Sequence, residues 1–168
     1  PEKTYQINTE GTKNVLEAAA KKRVKKVVMA SSAAVYGDAE PPLDEGMPIK
    51  PLSPYGKSKC DLEKLGAQYS KKYGKQGMEA ISLRYFNVYG PRQDSASEYS
   101  GVIARFVNLL SEGKTPKIYG DGLQSRNFIF VKDVVDANLS AMAKSGLGGQ
   151  CFNIATGRQT TLKGLLEI

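Results

Sequence analysis

The chain has 168 residues, of which 40% are hydrophobic and 24% charged, with a formal net charge of +7 at pH 7. This balance is typical of a globular protein with a sizeable core, and it excludes an intrinsically disordered chain. The absence of histidine excludes Ser-His-Asp triads, Cys-His pairs and histidine metal sites. The two cysteines are too few for a metal cage and predict a reducing, cytoplasmic setting. No apolar run approaches the roughly 20 residues of a membrane-spanning helix.

Apolar periodicity predicts helices and strands that alternate along the chain. The predicted helices cover 4–22, 54–73, 101–113 and 131–144, and another begins near residue 161. The predicted strands cover 26–31, 78–86, 115–120, 126–131 and 151–155, and a long loop covers 39–54. Such alternation is typical of βαβ units, so the sequence predicts an α/β fold with a doubly wound, parallel sheet. In this fold, ligands lie beyond the carboxyl ends of the strands.

Basic residues gather in two clusters, 21–26 and 71–75, where two predicted helices end. Cations at helix C-termini complement the helix dipole. A nucleic-acid surface would also need base-reading or stacking side chains among the basic ones. The clusters therefore favour solvated helix ends and no nucleic-acid partner. The positive charge is compatible with attraction of anionic small molecules such as nucleotides.

Polar residues follow the first predicted strand and open the next helix. Ser32 lies in SSAAVYG, directly after the strand, and Tyr55 and Lys59 lie four residues apart in SPYGKSK. A spacing of four places both side chains on one helix face. A lysine ammonium close to a phenol favours its phenolate form, so Tyr55 could move the proton of a substrate hydroxyl, with Ser32 as hydrogen-bond partner. An exposed tyrosine beside a solvated lysine explains the same spacing, and the spacing alone favours that simpler interpretation.

The segments SSAAVYG, SPYGKSK and LRYFNVYGPRQ, in this order, resemble the extended short-chain dehydrogenase/reductase family in its nucleotide-sugar epimerase and dehydratase branch. The resemblance extends from INTEGTKNVLEAA to FNIATG, which is nearly the whole chain. It implies NAD as cofactor and a catalytic triad of Ser32, Tyr55 and Lys59. Tyr55 would move the proton of the sugar 4-hydroxyl, and Ser32 would hydrogen bond to that oxygen. Lys59 would bind the nicotinamide ribose.

The same resemblance implies which residues hold the ligands, and it implies no metal. The cofactor-binding residues would be Asn8, Ser31, Tyr55, Lys59 and Phe86. The substrate-binding residues would be Ser32, Tyr55, Asn87, Gly101, Val102, Tyr119 and Arg126. The helix that opens at Gly101 and the guanidinium of Arg126 suit a diphosphate, and Tyr119 would pack against uracil. Bracing of the backbone is an equal alternative for Asn8, and core packing is an alternative for Phe86.

Two alanines, Ala33 and Ala34, distinguish between the reactions of this branch. At these positions the dehydratases carry an acidic pair and the decarboxylating relatives carry a glutamate, whereas an alanine supplies no proton. The resemblance thus implies NAD-dependent epimerisation at C4 of a UDP-sugar, either UDP-glucose and UDP-galactose or their N-acetyl analogues, through a transient 4-keto sugar. This reaction would belong to galactose metabolism. The alternatives are an NAD(P)-dependent reductase or another epimerase on a different nucleotide sugar, and a non-catalytic binding protein on the same fold.

The family pattern also implies a domain arrangement. Residues 1–90 would form the C-terminal part of a Rossmann-like, NAD-binding domain that carries the catalytic residues. Residues 91–168 would form mostly a smaller substrate-binding lobe, with 125–145 returning to the Rossmann core. The sequence contains no GxxGxxG or GxGxxG turn to approach the cofactor pyrophosphate, so it resembles a fragment that lacks this segment and the C-terminal end. We therefore expect weak NAD binding by these residues alone, and the family suggests a homodimer through helices near 4–22 and 54–73.

Overall fold

The computed structural model describes residues 2–97 and 101–168, and the chain divides into two compact units. Unit 1 comprises Pro1–Tyr85 and Asp136–Ile154, and unit 2 comprises Phe86–Val135 and Ala155–Ile168. The units are defined by packing alone. The assignment of 1–90 to cofactor binding and of 91–168 mostly to substrate binding, with a return at 125–145, therefore stays a prediction.

Helices and strands alternate along the chain, as the periodicity predicts. The helices are α1 (Glu2–Tyr5), α2 (Gly11–Lys21), α3 (Pro54–Tyr73), α4 (Val102–Ser111), α5 (Val131–Ala143) and α6 (Leu162–Leu166). The strands are β1 (Lys26–Ser32), β2 (Glu79–Tyr85), β3 (Asn87–Tyr89), β4 (Ser125–Arg126), β5 (Phe128–Phe130), β6 (Cys151–Ile154) and β7 (Thr160–Thr161). A π-helical turn, Gln6–Glu10, joins α1 to α2, and 3-10 turns cover Ala33–Tyr36 and Gly74–Gln76.

Unit 1 is built on a parallel sheet in the order β1-β2-β6, which confirms the predicted fold class. On one face, α2 and α3 pack against the sheet around a core of Leu16, Met29, Leu62, Met78 and Ala80, together with Ala19. A second core, formed by Ile81, Leu83 and Ala141, involves the next side chains along β2 and therefore the other face. Helices on both faces bury the sheet, as a parallel sheet requires.

Helix α3 begins at residue 54, as the sequence predicts. The Ser53 side chain accepts a hydrogen bond from the backbone N–H of Gly56 at 3.0 Å, and Pro54 occupies the first turn. Beyond the helix, Gly77 has a φ of 87°, a left-handed conformation that suits glycine. Ser53 and Pro54 thus fix the start of the helix that carries Tyr55 and Lys59, and Gly77 ends the 3-10 turn Gly74–Gln76 that follows this helix.

Unit 2 contains two small sheets, a parallel pair of β3 and β5 and an antiparallel pair of β4 and β7. The prediction of a strand over 115–120 is wrong, because these residues are irregular and β4 pairs with β7 instead. Pro116 lacks the N–H that a strand would use for pairing. The sequence also gave no signal for β3 and β7, since strands of two or three residues are too short for alternation to be read.

The residues that the structure describes lack two kinds of feature. Within 2–97 and 101–168, no helix is both long and apolar enough to span a membrane. In the same ranges, no group of three or more histidine, cysteine, aspartate or glutamate side chains could hold a metal ion. Cys60 and Cys151 are both free thiols.

The contrast between Leu16 and Val15 tests the packing of α2 against the sheet. Leu16 is fully buried, whereas its neighbour Val15 is 59% exposed. We expect Leu16→Ala to lower the free energy of unfolding by about 2–5 kcal/mol, because it leaves a cavity that the core cannot fill. Val15→Ala should change it by less than about 0.5 kcal/mol. Urea unfolding measures both values, and equal effects of the two substitutions would contradict this packing.

Candidate active site

The carboxyl end of β1 carries two serines that differ in burial. Consecutive side chains of a strand point to opposite faces, so Ser31 and Ser32 face different surroundings. Ser31 is buried beneath α3. Ser32 is half-buried, and its Oγ accepts a hydrogen bond of 3.2 Å from the backbone N–H of Ala34, which caps the Ala33–Tyr36 turn. Ser32 thus lies at the sheet edge where ligands of parallel sheets bind.

The first turns of α3 bring Tyr55 and Lys59 together. The Nζ atom of Lys59 lies 5.4 Å from the ring centroid of Tyr55, as their spacing predicts. The same Nζ donates a hydrogen bond of 2.8 Å to the carbonyl oxygen of Ala30, two residues before Ser32. Desolvation by burial lowers the pKa of Lys59. The ammonium is partly buried, and its charge is therefore less screened by water than a charge on the surface.

The ammonium of Lys59 is also suited to hold a ligand hydroxyl. A lysine has three N–H donors, and Ala30 accepts from one of them. Two donors remain at the carboxyl edge of the sheet, which suits the paired hydroxyls of a ribose such as that of NAD. This donor set therefore fits a dinucleotide cofactor.

Asn8 braces the helix that carries Tyr55. Its Nδ2 donates a hydrogen bond of 3.0 Å to Ser58 Oγ, and Ser58 in turn donates to the carbonyl oxygen of Tyr55 at 2.8 Å. Asn8 lies in the π-helical turn, in which the N–H of Gly11 donates to the carbonyl oxygen of Gln6, five residues earlier. Such turns are frequent at functional sites. Its direct contact with a cofactor stays a prediction. No pattern in the sequence indicated Ser58.

A buried ionic network lies behind Ser31 and was missed by the sequence reasoning. Glu63 Oε1 accepts hydrogen bonds from Ser31 Oγ at 2.5 Å and Arg84 Nε at 2.9 Å, and its Oε2 accepts from Arg84 Nη2 at 2.9 Å. Arg84 Nη1 donates to the hydroxyl of Tyr36 at 2.7 Å, and that hydroxyl lies 2.7 Å from Asn153 Oδ1. The hydroxyl of Ser31 is thereby engaged inside unit 1, so any contact between Ser31 and a cofactor would use its backbone.

The network keeps Arg84 charged in the interior. Arg84 is 3% exposed and Glu63 is 6% exposed. Burial by itself lowers the pKa of Arg84, but the hydrogen bonds and charges of Glu63 and Tyr36 raise it overall. The available signal was an arginine in the predicted buried strand 78–86, because a buried charge needs a partner. The sequence did not indicate which carboxylate this would be.

Unit 2 contains a cleft of about 370 Å³ that gathers four of the predicted substrate-binding residues. They are Asn87, Gly101, Val102 and Arg126. Tyr119 does not line this cleft and is 75% exposed, but its carbonyl oxygen accepts a hydrogen bond of 2.9 Å from Gln124, which does line it. Gln93 and Gln124 are lining residues that the sequence reasoning missed.

The polar groups of this cleft suit an anion. Gly101 precedes the first turn of α4, where backbone N–H groups lack intrahelical partners and the helix dipole is positive. Arg126 Nη1 donates a hydrogen bond of 2.8 Å to the carbonyl oxygen of Ser125. The other N–H donors of the guanidinium remain for a ligand. Asn87 donates to the carbonyl oxygen of Asn127 at 2.9 Å. Phe86, the first residue of unit 2, is partly buried, and its role beside a cofactor stays a prediction.

Comparison with known proteins gives consistent matches. Residues 1–155 match the NAD dependent epimerase/dehydratase family. A protein of Methanocaldococcus jannaschii with the provisional name UDP-glucose 4-epimerase is 44% identical over 165 residues, which are 96% of this chain and 52% of that protein. The UDP-glucose 4-epimerase of Thermotoga maritima, solved with UDP-glucose, has a TM-score of 0.89 and 38% identity over 97% of this chain and 52% of its own.

A third relative was solved with the cofactor. The UDP-glucuronic acid 4-epimerase of Bacillus cereus, in complex with UDP-glucuronic acid and NAD, has a TM-score of 0.82 and 30% identity. The match covers 94% of this chain and 48% of that one. The chain thus spans about half the length of the relatives that it matches.

Gly56, which follows Tyr55, tests the close approach of α3 to the turn after Ser32. A Cβ atom at Gly56 would lie 2.6 Å from the carbonyl oxygen of Ala34, a backbone atom that cannot move aside easily. We expect Gly56→Ala to destabilise the protein by about 1–3 kcal/mol through overpacking. Gly74 has no atom within 4 Å of such a Cβ, so Gly74→Ala should leave stability unchanged or raise it by up to about 1 kcal/mol. Thermal unfolding of both variants tests this, and the same sign for both would refute it.

Proposed function

The chain belongs to the NAD-dependent epimerase/dehydratase family, and on that premise we propose that the protein carrying it interconverts UDP-sugars that differ in configuration at C4. The substrates would be UDP-glucose and UDP-galactose or their N-acetyl analogues. The observation that carries the proposal is the pairing of Tyr55 with Lys59. Lys59 in turn donates a hydrogen bond to Ala30 of β1, two residues before Ser32. These are the three groups that oxidation and reduction of a sugar hydroxyl require from the protein.

The roles of the three residues follow from their chemistry. The phenolate oxygen of Tyr55 accepts the proton of the sugar 4-hydroxyl and returns it when the new configuration is set. The positive charge of Lys59 stabilises the negative charge that the Tyr55 oxygen carries before it accepts the proton. Ser32 donates a hydrogen bond to O4 of the sugar and fixes the direction of the proton transfer. NAD, when bound, supplies the oxidation and the re-reduction at C4, and Lys59 would hold its ribose.

The turn after Ser32 supports epimerisation over loss of a hydroxyl. Ala33 and Ala34 occupy the first two positions of the 3-10 turn, and neither can donate a proton to a departing group. The nearby carboxylate of Glu63 is fully engaged by Ser31 and Arg84. An epimerase needs no further acid here, because the hydroxyl oxygen stays on the sugar throughout.

The cleft of unit 2 supports a nucleotide diphosphate as the anchor of the substrate. The N-terminus of α4 and the guanidinium of Arg126 both favour phosphate oxygens. Contacts to the part of the substrate that does not react would hold it while the sugar turns over.

Replacement of Tyr55 tests the proposed reaction in the full-length protein. We expect Tyr55→Phe to lower kcat by about 100- to 10,000-fold, the usual contribution of a general acid–base group, with little change in KM. Tyr5→Phe is the control, because Tyr5 is an exposed residue of α1. The assay follows UDP-galactose turnover by coupled oxidation of UDP-glucose. Failure of the unaltered protein to turn over any UDP-hexose or UDP-hexosamine would refute the proposal.

Replacement of Arg126 tests the anchoring cleft. We expect Arg126→Met to weaken UDP binding by about 10- to 100-fold, since a hydrogen bond to a charged group contributes about 1.5–3 kcal/mol. KM should rise accordingly and kcat should change little, because Arg126 holds the part of the substrate that does not react. Lys132→Met removes an exposed cation of α5 outside the cleft and serves as the control. Titration calorimetry with UDP measures the binding without turnover, and equal losses in the two variants would show that only net charge matters.

A further inference from the structure

The carboxylate of Glu63 is the centre of a fixed arrangement of donors. It accepts hydrogen bonds from Ser31 Oγ, Arg84 Nε and Arg84 Nη2 at 2.5, 2.9 and 2.9 Å. Glu63 and Arg84 are both buried, so the low dielectric of the interior strengthens these bonds and makes their loss costly. The guanidinium of Arg84 and the carboxylate of Glu63 form two parallel hydrogen bonds, which fix the orientation of the two side chains as well as their separation.

Glu63 also continues the helix face that carries the proposed catalytic pair. It follows Lys59 by four residues and Tyr55 by eight, a spacing that keeps all three on one side of α3. Lys59 holds the carbonyl oxygen of Ala30 at 2.8 Å, and Glu63 holds the hydroxyl of Ser31 at 2.5 Å. Two successive turns of α3 thus form hydrogen bonds to Ala30 and Ser31, the two residues of β1 immediately before Ser32.

The other side of Ser32 is held by the same network. Arg84 Nη1 donates to the hydroxyl of Tyr36 at 2.7 Å, and Tyr36 is 1% exposed. Tyr36 ends the 3-10 turn that starts directly after Ser32. The backbone of Ser32 is therefore fixed from both directions by groups that converge on Glu63 and Arg84.

We propose that Glu63, in its pair with Arg84, is a positioning residue that fixes Ser32 relative to Tyr55 and Lys59. The inference rests on the proposed function, because it concerns the same reaction. A pair of apolar residues could fill the same buried volume with equal or greater stability. What the ionic pair adds is a defined position for the strand end against the helix, and catalysis is sensitive to such positions because a misplacement of about 1 Å can lower a rate about 100-fold.

The experiment separates position from stability with three variants of the full-length protein. Glu63→Gln removes the charge and keeps the shape. The double variant Glu63→Leu/Arg84→Met removes the whole ionic pair and leaves no buried charge unpaired. Ser70→Ala is the matched control, because Ser70 lies further along α3 and bonds through Oγ to the backbone N–H and carbonyl oxygen of Ala80 in β2, at 2.8 and 3.2 Å. The measurements are kcat, KM and urea unfolding for each protein.

We expect the double variant to recover the stability that Glu63→Gln loses, while its kcat stays about 10- to 100-fold below that of the unaltered protein and its KM is unchanged. Ser70→Ala should lose stability and keep its kcat. A double variant with kcat within twofold of the unaltered protein would overturn the proposal. So would a fall in kcat for Ser70→Ala equal to that of Glu63→Gln at the same loss of stability.

Amide hydrogen exchange gives a readout that does not depend on turnover. In the double variant, residues 30–36 should exchange at least about tenfold faster, because the bonds of Ser31 to Glu63 and of Tyr36 to Arg84 are gone, whereas 66–80 should be unchanged. Unchanged protection of 30–36 would overturn the positioning role even if the protein proved to have another activity. Absence of epimerase activity in the unaltered protein would instead refute the proposed function alone.

Discussion

A guanidinium in the middle of a buried strand constrains the arrangement of everything around it. Arg84 lies in β2 with 3% of its surface exposed, so its donors need acceptors from neighbouring elements. Glu63 of α3 and Tyr36 of the turn after β1 supply them, and Asn153 of β6 extends the chain of hydrogen bonds. Because these groups come from four separate elements, satisfying one charge fixes the positions of the helix, the turn and the strands together.

The parallel register of the sheet places the ends of β1 and β2 at one edge, where the candidate site lies. In the register of β1 and β2, Ser31 pairs with Arg84 and Ser32 pairs with Tyr85, so both strands end at the same edge. Small residues let α3 lie close to that edge: a Cβ atom at Gly56 would meet the carbonyl oxygen of Ala34 at 2.6 Å. Lys59 is thereby bonded to Ala30, two residues before Ser32, and Tyr55 lies beside Lys59. We therefore expect the proposed reaction to depend on this close packing as well as on the identity of the three residues.

Unit 2 contributes a different kind of surface, built from loops and short elements. Its cleft combines the start of α4 with Arg126 and Asn87, which are polar groups suited to phosphate oxygens. The cleft residues lie on short elements, Asn87 in β3 and Arg126 in β4, whereas the proposed catalytic residues lie on a long helix and at the end of a buried strand. The chain belongs to the NAD dependent epimerase/dehydratase family, and the relatives that it matches are named for different UDP-sugars.

The sequence by itself determined the α/β class, the bounds of α3 and the pairing of Tyr55 with Lys59, because these follow from periodicity, caps and spacing along the chain. It misplaced a strand at 115–120 and missed β3 and β7, since short strands form only where a partner exists. It also missed Glu63 as the partner of Arg84, and Ser58 as the link between Asn8 and Tyr55. Only the tertiary structure decided these contacts, because they join residues that lie 21 and 50 positions apart and depend on which helix packs on which strand.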